Sequence, residues 1–440
     1  MKRPHTLSLA IILPLTLCAP ALTSCARTTT TSAPARAENP SAAQNVLTRE
    51  DRLEIFEQVW RTIDEEYYDP SFRGVDWRAA RERYRPQAES AQSDAEFYGV
   101  FESMLAELRD GHTVFEPPAA PGGTGERGLR GSVGLKLGDA EGRVAVVEVE
   151  PGSKAEALGV RPGHVLREVN SRPLEEHVAF IRSKIAGSST ERLFRVKILS
   201  ALLYGGFLAR PRALGLTDFE GREFTVELPE AGARAAAPNL TSRRLDSGAG
   251  YIRFRSWTPP VHDEFRKALS TLKDAPGLVI DLRGNGGGEG RVVQEITGNF
   301  FTRETHAGSM RTRSAPPQKS YARPAPDPYR GPVVVIVDEE SASASETFTA
   351  FMQEAGRARV VGRQTAGSTL GRSGFKGLKG GGRLRFSTRS YVTPAGRELE
   401  GVGVTPDVSV PLTLADLRSG RDAALEAAVS LLRAGGAARP

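Results

Sequence analysis

Cysteine is almost missing from this 440-residue chain: there are two, Cys18 and Cys25, and both lie close to the N-terminus. The remainder therefore has no disulfide framework, no thiolate metal cage and no cysteine nucleophile. Histidine is also scarce, with six residues and no His-x-x-x-His or Cys-x-x-Cys pattern. The scattered carboxylates read as solvated surface, so neither a metal nor a cofactor is expected. Long apolar runs are missing too. The stretch from Leu7 to Leu17 is too short for a membrane span, and Pro14 and Pro20 break it further. The net charge is +6, but the basic residues are dispersed and not interleaved with aromatics, which argues against a nucleic-acid surface. At 39% hydrophobic and 25% charged residues the chain has an ordinary globular composition, long enough for two or three domains.

Lys2 and Arg3, the apolar run and then Leu22-Thr23-Ser24-Cys25 read as an export signal. The last four residues resemble the lipobox of bacterial lipoprotein precursors. That resemblance implies cleavage after residue 24, a lipid on Cys25 and a location at the cell envelope facing the periplasm or exterior. A signal peptide cut elsewhere, leaving a soluble secreted protein, is the other reading. The segment 25–46, rich in Thr, Ala, Pro and Ser, reads as a flexible tether.

Three further regions follow. Residues 47–118 carry helical periodicity: Leu53, Ile55, Phe56, Val59, Trp60 and Ile63 form one apolar face, and Thr48 with Asp51 is a capping pair. Residues 130–230 change to short strands and turns. There the run Ser153 to Leu166, with its Gly159-Val160-Arg161-Pro162-Gly163-His164 turn, resembles a bacterial PDZ domain, although His164 stands where that family usually has aspartate. The resemblance implies capture of a peptide C-terminus on the amides of Ser132, Val133, Gly134 and Leu135. The helical stretch 190–208 exceeds a minimal PDZ domain and reads as a local elaboration. Residues 245–412 alternate strands and helices in a β-α-β layout with a mainly parallel core. Residues 413–440 hold a terminal helix, expected over 413–432, and a tail. The fold class is multidomain α/β.

Two motifs carry chemistry. Val333 to Val337 is an apolar strand running into Asp338-Glu339-Glu340-Ser341-Ala342-Ser343-Ala344-Ser345-Glu346, which sets a hydroxyl at a helix N-terminus where developing negative charge is favoured. By itself, Ser343 with Glu346 could be a plain capping box. The second motif, Asp281 to Gly288, also follows a buried strand, and its glycine run lets backbone amides approach a ligand as an oxyanion hole requires. No Lys-Ser/Thr follows it, so a phosphate loop is excluded.

Together these motifs resemble the tail-specific (C-terminal processing) and tricorn-like serine proteases, over nearly the whole chain after the signal. The resemblance implies a crotonase-like β-α-β catalytic core, a Ser343 nucleophile, and oxyanion donors from Ala344 and from Gly286 or Gly287. It also implies polypeptide substrates cut through an acyl-enzyme. The processing proteases use a lysine base, but Ser368 occupies that position, and Lys376 and Lys379 lie off register. The tricorn-like branch uses a histidine and a late glutamate, which match His112 and Glu400, with Glu398 as a rival. A lysine base at Lys376, or a catalytically inactive scaffold that binds peptides or lipids, are the alternatives.

Overall fold

The computed structural model describes residues 47–118, 133–184, 188–204, 212–228 and 238–435. The lipobox segment with Cys25, and Ser132 of the expected peptide-binding loop, lie outside them. Among the described residues no helix is long and apolar enough to cross a membrane.

The first region comprises α1 (Arg49–Glu66), α2 (Trp77–Ser90), α3 (Asp94–Ala106) and a short strand β1 (Val114–Glu116). Thr48 and Asp51 form the expected reciprocal cap of α1. Its face of Ile55, Phe56, Val59 and Ile63 is buried, but the core it enters is closed by Leu378, Leu384 and Phe386 from far along the chain. Pairing of β1 with residues 383–385 makes the same connection through the backbone.

The second region is a twisted antiparallel sheet of β2 (Leu135–Ala140), β3 (Arg143–Val149), β4 (Val165–Val169), β5 (Arg172–Pro173), β6 (Ala213–Thr217) and β7 (Glu223–Glu227). It is accompanied by α4 (Lys154–Ala157), α5 (Leu174–Lys184) and α6 (Glu191–Tyr204). The sheet order β2-β3-β4-β6-β7 leaves β2 at an edge, where its outer row of backbone groups can take an added strand. Far from being an appendage, α6 packs Ile198, Leu199 and Leu202 into the core of this module.

The third region is built on the sheet order β17-β14-β13-β10-β9-β8. Its strands are β8 (Leu240–Arg244), β9 (Gly250–Phe254), β10 (Leu278–Asp281), β13 (Val333–Val337), β14 (Arg359–Gly362) and β17 (Val408–Ser409). All neighbours are parallel except the β8–β9 pair. Every residue of β10 and β13 is buried, because both sheet faces are covered. One face receives α7 (Val261–Thr271), α8 (Gly290–Thr297) and α9 (Ala344–Glu354); the other receives α11 (Ala423–Arg433). A second sheet joins β1 to β11 (Thr305–Thr312), β12 (Gln318–Ala322), β15 (Gly371–Gly377) and β16 (Arg383–Val392). The single terminal helix expected over 413–432 is two: α10 (Leu414–Ser419) stops at Gly420, which adopts φ +69°, and α11 starts on its own Asp422 cap.

Candidate active site

The two motif loops meet at the carboxyl ends of β10 and β13, which are hydrogen-bonded neighbours. The three serines of the Ser-Ala-Ser-Ala-Ser turn have different fates. Ser341 is fully buried and its hydroxyl donates to the Leu282 carbonyl at 2.9 Å. Ser345 is fully buried as well, donating to the Asn285 carbonyl and accepting the Trp257 indole N–H, each at 2.9 Å. Ser343 alone of the three lines a cleft of about 790 Å³. It sits at φ +54°, ψ −112°, a sparsely populated conformation for a residue with a Cβ. The surroundings hold it there: the Ser343 N–H donates to the Ser368 carbonyl at 2.9 Å and to Glu346 at 3.0 Å.

Glu346 does more than cap α9. Its buried carboxylate also accepts the Thr365 hydroxyl at 2.5 Å and the amides of Gly367 and Ser368 at 2.7 and 2.9 Å. Burial raises its pKa, and these donors oppose the shift. It clamps the 365–368 segment against the serine.

The glycine loop is equally constrained. Asn285, fully buried, donates to the Phe254 carbonyl and accepts the Gly287 N–H, both at 3.0 Å. The Gly287 amide is therefore occupied, which corrects its assignment as an oxyanion donor. Its role is steric: at φ +105° a Cβ there would come within 2.7 Å of the Ser343 Cβ. Gly286 and Ala344 both line the cleft. Among the described residues neither amide has a protein acceptor, so both are available to a ligand oxygen.

His112 lines the same cleft as Ser343. It is brought there over a long range. The Thr113 hydroxyl accepts the Ser387 amide at 3.2 Å, and β1 continues that pairing along β16. The His112 Nδ1 lies 3.4 Å from the Ser368 hydroxyl, so the serine at the expected lysine position is the imidazole's neighbour. It lies 3.9 Å from Asp110, whose carboxylate also accepts the His112 amide at 2.8 Å. A serine, a histidine and two unoccupied amides around one cleft form an arrangement suited to acyl transfer.

Comparison with known proteins identifies the domains. The pattern described as peptidase family S41 matches residues 248–410, a tricorn protease C1 domain matches 48–106 and a PDZ domain matches 146–199. Residues 248–410 carry a peptidase family S41 domain, and the chain is a serine peptidase. A carboxyl-terminal-processing protease of Synechocystis is 28% identical, over 90% of this chain and 89% of that protein. A tricorn protease homologue of Streptomyces coelicolor is also 28% identical over 86% of this chain, but the match spans only 32% of that longer relative. The solved photosystem II D1 C-terminal processing protease shares the fold, with a TM-score of 0.57 and 23% identity over 87% of this chain and 97% of that one.

In this serine peptidase Glu400 is buried beside the cleft and holds the backbone of two residues that line it. Its Oε2 accepts the amides of Thr369 and Leu370 at 2.6 and 3.1 Å, and its Oε1 lies 3.5 Å from Arg73. Burial pushes its pKa up to about 7; the Asp110 charge adds to this, while Ser189, Thr369 and Arg73 oppose it. The rival Glu398 is exposed and paired with Arg311. Lys376 pairs with Glu66, and Lys379 with Asp51 and Glu54, on the helical region. Neither lysine lines the cleft. Asp281 and Arg283 form an ion pair, and Arg283 also reaches Asp422.

The PDZ groove runs between β2 and α6, with Leu135, Leu137, Val196, Leu199 and Leu203 along a space of about 280 Å³. Val133 is buried in the core of the module, and Gly134, at φ +81°, turns the chain into β2. Lys136 of β2 pairs with Glu340 at 2.9 Å, three residues before Ser343. Sequence reading missed Asp110, Lys136, Glu340 and the second use of α6. Only Asp110 carried a signal, its position two before His112, which suits a side chain that accepts the i+2 amide.

Proposed function

We propose that this peptidase is exported, anchored through a lipid on Cys25, and cuts extended polypeptides through a Ser343 acyl-enzyme with His112 as general base. The observation that carries the reading is that Ser343 and His112 line one cleft while Ser368 fills the lysine position beside the imidazole. His112 takes the Ser343 hydroxyl proton as the oxygen attacks the scissile carbonyl. The amides of Ala344 and Gly286 receive the developing oxyanion, and the imidazolium gives its proton to the leaving amine. Water, deprotonated by His112, then releases the acyl group. The edge strand β2 and the β2–α6 groove hold a chain end of the substrate as an added strand, a use consistent with relatives named for carboxyl-terminal processing.

A fluorophosphonate probe tests the chemistry. The mature protein should acquire one adduct, on Ser343, and His112→Ala should slow its formation by about 10³-fold or more. An unlabelled wild-type protein across pH 5–9 would favour the inactive peptide-binding scaffold. Cys25→Ser should move the protein from the membrane fraction to the soluble fraction; unchanged membrane association would reject the anchor.

A further inference from the structure

The groups behind His112 form a buried charged cluster to which the PDZ module contributes directly. Asp110 and Glu400 bring two carboxylates, 4% and 9% exposed. Carboxylates taken out of water need nearby cations once they ionise, which Glu400 does only near pH 7. Arg73, from the turn after α1, faces Glu400 at 3.5 Å. The other cation is Lys197, on α6. A methyl group added at Gly111, between Asp110 and His112, would lie 3.3 Å from the Lys197 Nζ, so the ammonium stands over the histidine loop. The other titratable groups facing the cluster are Tyr67 and Tyr68 at the end of α1, and His112 itself.

The start of α6 is fixed to the catalytic loops at several points. The Ser189 hydroxyl accepts the Gly111 amide at 3.3 Å. Thr190 donates to the Ala366 carbonyl at 2.5 Å, and Arg192 donates to the carbonyls of Thr365 and Val402 at 3.1 and 2.6 Å. Two turns of helix therefore touch the histidine loop, the segment clamped by Glu346 and the turn after Glu400. This anchoring leaves Lys197 little freedom to swing away.

We propose that Lys197 is a positioning residue for His112: its ammonium, standing over the histidine loop, balances the Asp110 and Glu400 carboxylates and keeps the imidazole from becoming too basic to work. Burial lowers the Lys197 pKa, with Asp110 and Glu400 opposing, as expected for a cation enclosed with these carboxylates. The ammonium makes no contact with substrate and acts only through the carboxylates. Its removal would leave their field on His112 uncompensated, so the imidazole would hold its proton to higher pH.

The proposal rests on His112 being the base, and the experiment separates the two. The second-order rate of fluorophosphonate labelling at Ser343 is measured from pH 5 to 9 in the full mature protein and in Lys197→Gln, Lys197→Arg and His112→Ala. Thermal melts establish that each variant is folded. Lys197→Gln should move the acid limb of the profile up by about one pH unit and slow labelling at pH 6 about tenfold. Lys197→Arg, which keeps the charge, should restore most of the wild-type profile. If Lys197→Gln is too unstable to assay, the arginine variant decides: an acid limb displaced despite its retained charge would overturn the proposal. An unmoved acid limb in a folded Lys197→Gln protein, or a uniform loss at all pH values, would also overturn it while leaving the base assignment intact. Labelling of His112→Ala at the wild-type rate would overturn the base assignment itself.

Discussion

The two halves of the catalytic cleft are built differently. The Ser343 half is local: β10 and β13 are adjacent parallel strands, and the segments leaving them, 282–288 and 338–345, interlock through Asn285, Ser341 and Ser345. The His112 half is assembled from distant parts of the chain. His112 follows the helical region, is set by β16 through Thr113, and is backed by Glu400, Arg73 and α6 of the PDZ module. Rigid strand ends can specify an oxyanion hole and a strained serine with few residues. A side chain placed in the cleft by a loop needs several independent anchors, and each is a place where a neighbouring domain can affect the cleft.

Breaking the clamp between the halves should have the largest effect. Glu346→Ala leaves four donors of Ser343, Thr365, Gly367 and Ser368 without their acceptor, and should cost about 3 kcal/mol in urea unfolding as well as most of the labelling at Ser343. A stability loss below about 1 kcal/mol would show that the 365–368 segment is held by other contacts.

The next effect is confined to the His112 half and depends on pH. Glu400 titrates near 7 in the folded state against an ordinary value of 4.5. Between these values the folded protein binds more protons than the unfolded chain, so stability falls as pH rises through that window, by up to about 3 kcal/mol from this group. Glu400→Gln should flatten the change in urea midpoint between pH 5 and pH 8. An unchanged slope would place the buried titration elsewhere, Glu346 being the other raised carboxyl beside the cleft.

The smallest effect sharpens the comparison by its absence. Lys376 and Glu66 form an exposed ion pair on the helical region, so Lys376→Ala should alter stability by less than about 0.5 kcal/mol and leave labelling of Ser343 unchanged. A silenced serine in that variant would revive the lysine-base alternative and remove His112 from the mechanism.

The difference between the halves also explains what could be read in advance. The Ser-Ala-Ser-Ala-Ser-Glu turn and the Asp281–Gly288 loop were legible because each follows a continuous apolar strand, and strand ends of a parallel sheet lie together. The short PDZ turns and the amphipathic face of α1 were legible through residue spacing. The choice between Gly286 and Gly287 was not, because it turns on which amide the Asn285 side chain occupies. Asp110, one residue removed from His112, looked like part of a turn until its carboxylate proved to be buried near the imidazole. The break between α10 and α11 does have a sequence signal, Gly420, which the expectation of a single helix did not use.

The opening scarcities did define the chemistry. With no cysteine beyond position 25 and few histidines, a hydroxyl nucleophile and one of a handful of bases were the options left. Strand hydrophobicity, glycine placement and the serine turn determined the sheet and the position of Ser343, since these depend on neighbours along the chain. Only the tertiary structure decided which carboxylates surround His112, and that α6 serves the peptide groove and the histidine loop together. Burial and electrostatic coupling depend on distances between residues far apart in sequence, and those distances exist only once the helical region, the PDZ module and the sheet have packed.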